Sequence, residues 1–219
     1  AMDEPYLPNV ILIIADDLGS AEVGVYGQTL IQTPRLDQMA AEGMRFTQFY
    51  SSASICAPAR CQMLTGKHAG HAVIRDNTNL NASGYQTALP AGTFTFGHLM
   101  QRAGYATSCI GKWALGGPGS TGMPNQQGFD HFFGYLGQIQ AHHYYPSRLW
   151  RNEEQAYYSP TLASQNSTTV DIPGANNDRG FKILNSSLGN KENDGNVHAH
   201  DAMTAEALQW IKDHQNEAF

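Results

Sequence analysis

This chain of 219 residues is poor in cysteine, in basic residues and in long apolar runs, and each shortage removes a class of protein. Its three cysteines, Cys56, Cys61 and Cys109, are too few for a disulfide-rich framework and lack the paired spacing of a zinc site. Only 13 lysines and arginines stand against 19 acidic residues, for a formal net charge of -6. That balance argues against nucleic acid or an anionic membrane surface as the general partner, while a local basic pocket for a small anion remains open. No apolar run is long enough to span a membrane, and no internal repeat or low-complexity tract occurs. The opening residues Ala1-Met2-Asp3-Glu4-Pro5 carry no basic and apolar leader. What remains is the composition of a soluble globular chain with room for one sizeable domain and a real core.

Apolar patterning reads as α/β. Val10 to Ala15 is a continuous, mostly β-branched run, typical of a strand covered on both faces in a parallel sheet. Thr33 can cap a helix with Pro34 at its first position, Leu36, Met39 and Ala40 on one face and Gly43 as its stop; a strand is expected from Met44 to Tyr50. Thr95 to Ala103 has helical spacing, and Tyr105 to Ile110 reads as the next strand, delivering Gly111-Lys112-Trp113. From Gly116 to about Gly195 the chain is rich in Gly, Pro, Asn and Ser and reads as long excursions over the active face, interrupted by short elements. Ala202 to Ile211 is helical again, with Met203, Ala207, Leu208 and Ile211 as its buried face. The alternation implies a mostly parallel central sheet sandwiched by helices.

Three segments carry chemistry. Cys56-Ala57-Pro58-Ala59-Arg60, continued by Cys61-Gln62-Met63-Leu64-Thr65-Gly66, sets a thiol at a helix start, with Pro58 suited to the first turn and Gly66 to the end. Backbone N–H groups and the positive end of the helix would then face position 56 and favour a bound sulfate, with Arg60 one turn along. The bland reading is a small buried cysteine and a surface arginine. Asp16 and Asp17, after the first apolar run, can give two oxygens to a hard divalent cation, or can cap a helix. Lys112, ending a strand, is a third candidate, with a solvated charge as its alternative.

The Cys-x-Pro-x-Arg stretch with its trailing Leu64-Thr65-Gly66 resembles the sulfatase signature, and Gly111-Lys112-Trp113-Ala114-Leu115-Gly116 resembles the second signature of that family. The resemblance implies an alkaline-phosphatase-like fold and a sulfatase catalytic domain over residues 1–219, with the C-terminal part of that domain missing. It implies oxidation of Cys56 to formylglycine, whose hydrate attacks sulfur, with Arg60 and Lys112 stabilising the sulfuryl oxygens. The remaining hydroxyl then expels sulfate, a step that an ordinary serine sulfate could not perform. Asp16, Asp17 and the oxidised Cys56 would ligate one divalent cation, Ca2+ rather than Mg2+. Many members have histidine where this chain has Ala114.

Thr65 to Asn77 and the segments Asn125 to Tyr135 and Gln140 to Pro146 resemble a subset of arylsulfatase-like proteins. There His71, Arg75 and His142 would face substrate. Asp76-Asn77 imitates a metal pair but follows Arg75 in a turn-like region, and His198 and His200 beside Asp201 read as the start of a helix that Asp201 can cap. The implied reaction is hydrolysis of an aryl or carbohydrate sulfate ester in a periplasmic or secreted protein matured by a formylglycine-generating enzyme. A phosphoester hydrolase of the same superfamily and a catalytically inert fragment or binding protein are the alternatives. Asn81, Asn166 and Asn185 each open a glycosylation triplet, relevant only to a eukaryotic secretory route.

Overall fold

The computed structural model describes residues 7–77, 84–146, 148–157 and 197–219. The chain divides into two compact units, Ala1–Val10 with Ser52–Phe219, and Ile11–Ser51. The glycosylation triplets at Asn81, Asn166 and Asn185 extend into or lie within segments outside the described residues.

The larger unit is built on a sheet of four strands in sequence order, β1 (Ser108–Lys112), β2 (His131–Tyr135), β3 (Arg148–Arg151) and β4 (Glu154–Tyr157). β1 and β2 run parallel with Lys112 opposite Tyr135, and the other two pairings are antiparallel, so the sheet is mixed. Asp130 fixes the start of the parallel pair, its Oδ2 accepting the Thr107 N–H and hydroxyl at 2.9 Å each. At the other end Gly111 faces Gly134. A Cβ on Gly134 would come within 1.9 Å of the Gly111 carbonyl oxygen, so only glycine permits this approach beside Lys112. β3 and β4 are joined through Asn152 and Glu153, with Asn152 in the left-handed region at φ 53, a conformation asparagine tolerates in tight turns.

Alternation along β2 sends Phe132 and Phe133 to opposite faces, and both are fully buried. On one side Phe132 packs with Trp113, Leu136 and Trp150 against Ala57, Cys61 and Leu64 of one helix, α2 (Cys56–Thr65). On the other, Phe133, Tyr135, Leu149 and Ala156 meet Ala199 and Ala202 of the last helix, α4 (Ala199–Asp213). Burying each phenylalanine is worth about 1.5–3 kcal/mol. A further helix, α3 (Phe96–Arg102), leads into β1; Thr95 accepts the His98 N–H as its N-cap. The expected helix–sheet–helix layering is therefore present.

The smaller unit contains α1 (Pro34–Glu42), with Pro34 at the first helical position and Gly43 just past the end. Thr33 does not cap it: its hydroxyl accepts the Gly24 N–H at 2.8 Å and donates to Asp37 at 3.2 Å. Leu36 and Met39 are exposed.

Two expected strands are absent. Val10 to Ala15 and Met44 to Tyr50 have no strand pairing, and Ile13 is 76% exposed. A strand exists only as a paired ladder, and among the described residues these runs pair with no other strand. The strand expected at Tyr105 to Ile110 starts three residues later, at Ser108. The buried face of α4 is corrected in part. Ala199 and Ala202 are buried in the core and Met203 packs against it as expected, while Leu208 is 64% exposed. Its N-cap is His198, and Asp201 sits exposed in the first turn.

Candidate active site

Cys56 is the first residue of α2, half-buried where the helix meets the end of β1. The local sequence leaves this helix start without a side-chain cap, since Ile55 occupies the N-cap position. Pro58 brings no N–H, and the Ala59 N–H bonds the Ile55 carbonyl at 3.1 Å. The Ala57 N–H donates to Asn77 Oδ1 at 2.9 Å, a cap supplied from 20 residues away. Gly66, in the left-handed region at φ 65, closes the helix.

Lys112 ends β1 and donates from Nζ to Cys56 Sγ at 3.1 Å. Arg60, one turn into α2, donates from Nη1 to the carbonyl of the same lysine. The two signature segments are thus joined in both directions, with the Lys112 ammonium beside the thiol and the Arg60 guanidinium on the Lys112 backbone. A cation fixed next to a helix start is a setting suited to an anion.

The other cysteines are unsuited to that role. Cys61 is fully buried in the core beneath α2. Cys109 packs against the same core, and burial pushes its thiol up to about 12, opposed by the nearby Arg60 charge. At neutral pH it stays protonated and a poor nucleophile.

Ala114 is fully buried, with φ 63, and its N–H donates to the Leu136 carbonyl at 3.0 Å. Its methyl group belongs to the core, so this position offers neither a polar group nor the space for one.

The proposed substrate contacts lie on loops. His71 is exposed and its ring packs against that of His68, with centroids 4.5 Å apart. Arg75 directs Nε to the Ala72 carbonyl at 3.0 Å and Nη2 to the Gly70 carbonyl at 2.8 Å, so its guanidinium stiffens its own loop. His142 is exposed on the short turn Gln140–His142. Asp16 and Asp17, in the smaller unit, form an exposed turn in which Asp17 is left-handed at φ 59. A cavity of about 350 Å³, lined by Gly119, Ser120, Thr121, Met123, Gln126 and Glu153, includes none of these residues.

Sequence reasoning missed Asn77, which it set aside with Asp76 as a false metal pair. The signal for it was the apolar Ile55 where a capping side chain belongs.

The family model described as Sulfatase matches residues 8–219. The chain belongs to the sulfatase family. It is 39% identical to human arylsulfatase D over 137 residues, which are 59% of this chain and 23% of that protein. The crystal structure of Ps i-CgsB in complex with k-i-k-neocarrahexaose superposes with a TM-score of 0.67 at 27% identity, covering 97% of this chain and 43% of that one. A structure solved in complex with its substrate D-glucosamine-2-N,6-O-disulfate matches with a TM-score of 0.57 at 31% identity, covering 73% of this chain and 30% of that one. This sulfatase-family chain spans about a quarter of the length of the curated relatives it matches.

Membership implies a divalent cation and a formylglycine in general terms. Cys56 fits the second, as a half-buried cysteine at a helix start beside the Lys112 ammonium. The donor chemistry of Asp16 and Asp17, two adjacent exposed carboxylates, fits a hard cation. Among the described residues, no group of three or more His, Cys, Asp or Glu gathers into a metal cluster. No helix among them is long and apolar enough to cross a membrane.

Proposed function

We propose that this protein hydrolyses an aryl or carbohydrate sulfate ester to an alcohol and inorganic sulfate at position 56. The observation that carries this reading is the 3.1 Å contact of Lys112 Nζ with Cys56 Sγ. Arg60 strengthens it by holding the lysine's own carbonyl. A sulfate ester seated over residue 56 would meet the Lys112 ammonium, the Arg60 guanidinium and the positive end of α2. These groups are fixed before the substrate arrives, so they can stabilise charge as it develops on the sulfuryl oxygens without reorganising.

Oxidation of Cys56 to formylglycine by a generating enzyme would supply an aldehyde hydrate, able to attack sulfur and later to release sulfate. Asp16 and Asp17 would hold a divalent cation, Ca2+ in our reading, which would supply Lewis acidity. We assign the exposed His71 and His142 to the organic part of the substrate, and Arg75 to the loop that carries His71. A sugar sulfate as substrate is supported by the structural relative solved with a disulfated glucosamine. A periplasmic or secreted location agrees with this maturation route.

The test is an aryl sulfate assay on protein produced with a formylglycine-generating enzyme, paralleled by a phosphate ester. Sulfate release dependent on the oxidised residue supports the reading. Phosphate release by the unoxidised protein would replace it with a phosphoester hydrolase.

A further inference from the structure

We propose that Asn77 is a positioning residue for residue 56, acting through the Ala57 N–H. The inference rests on the reading of residue 56 as the nucleophile. Its physical basis is how the first turn of α2 is held. A helix start ordinarily takes its cap from the residue just before it, and Ile55 has no polar side chain to give. The second and third helical residues are Ala57 and Pro58, and the proline has no N–H. The side-chain cap at Ala57 is the Asn77 carbonyl oxygen, at 2.9 Å. It lies one peptide unit from the residue that does the chemistry.

The loop that returns Asn77 to the helix start is itself rigidly held. Ala72 and Ile74 are buried in the same core cluster as Ala57, Cys61 and Leu64, which anchors the loop at alternate residues. Between and beyond them, Arg75 clamps the carbonyls of Gly70 and Ala72, and the His68 carbonyl accepts the N–H groups of His71 and Ala72. Asn77 therefore arrives at Ala57 from a preorganised support. Lys112 fixes the side chain of residue 56 from the strand side, and Asn77 fixes its backbone from the loop side. Misplacing a reacting group by a fraction of an ångström to an ångström slows an oriented reaction while leaving distant binding contacts in place.

The test compares wild type, Asn77→Ala and Asn77→Asp in protein produced with the generating enzyme, after mass spectrometry has matched their conversion at residue 56. The aspartate keeps the acceptor oxygen, so it should rescue the helix start. Asn77→Ala is expected to lower kcat on an aryl sulfate on the order of ten-fold or more, with KM changed little, and Asn77→Asp to recover most of kcat. Hydrogen exchange at the Ala57 amide should accelerate about five- to ten-fold in Asn77→Ala and return toward wild type in Asn77→Asp, with the Leu64 amide unchanged in both. An unchanged kcat in Asn77→Ala at equal conversion would overturn the proposal, as would a loss that the aspartate leaves unrescued. If wild type itself releases no sulfate, that failure belongs to the proposed reaction. The exchange measurement then decides alone, and an unaltered Ala57 amide in Asn77→Ala would overturn the positioning role.

Discussion

Lys112 Nζ lies 3.1 Å from Cys56 Sγ, joining the last residue of β1 to the first residue of α2. The contact couples two segments separated by 56 positions, each carrying one of the two signature motifs.

Removing that ammonium should cost transition-state stabilisation more than folding. Lys112→Met is expected to lower kcat/KM on an aryl sulfate by about 10²–10³-fold, the magnitude typical of a lost oxyanion donor. Steady-state kinetics at verified conversion of residue 56 checks this. A loss of less than about three-fold would remove Lys112 from the reaction.

Cysteine labelling of protein made without the generating enzyme should single out Cys56. Cys61 is fully buried, and the Cys109 thiol is held at about 12 by burial, against the opposing charge of Arg60. Peptide mapping after brief iodoacetamide treatment near pH about 8 is expected to find Cys56 modified first. Equal labelling of Cys109 would contradict its protected state.

How far the sequence could be read depended on whether the cause was local. α2 was legible because Pro58 and Gly66 mark its first turn and its end, and Gly66 does adopt the left-handed conformation at φ 65. Lys112 was legible as the end of a strand, although that strand begins later than the pattern implied. Asn77 was not, because its partner lies 20 positions away and its loop has no periodicity. The apolar runs at Val10 and Met44 misled for a related reason: β-branched residues favour a strand, but pairing partners decide whether one forms. On α4 the eye follows Leu208, whereas packing against Phe133 and Tyr135 selected Ala199 and Ala202.

Position 114 should reject the histidine that the resemblance to the second signature leads one to expect there. Ala114 is fully buried at φ 63, so a larger side chain adds overpacking to an already unfavourable backbone conformation. Ala114→His is expected to lose about 1–3 kcal/mol in urea denaturation. Undiminished stability together with faster turnover would mean that the position opens onto the site.

Acid should weaken the link between α4 and the sheet. Burial raises the Glu206 carboxyl, but the His131 ring in contact at 2.9 Å and the Arg151 guanidinium bonded at 2.7 Å outweigh it, leaving the group below its ordinary value. A carboxyl lowered by folding contributes stability that is fully present above the unfolded value of about 4.3 and is lost as pH falls through the folded value. Wild type is therefore expected to exceed Glu206→Gln in denaturation midpoint at neutral pH, with the gap closing as pH falls below about 4. A gap independent of pH would contradict the ion-pair account.

The most direct measurement is peptide mass spectrometry of residue 56 in protein produced with a formylglycine-generating enzyme, coupled to aryl sulfate turnover on the same preparation. The expected result is conversion of Cys56 to the aldehyde, with sulfate release in proportion to the converted fraction and none from Cys56→Ala. An unmodified thiol, or sulfate release that ignores the state of residue 56, would contradict the account.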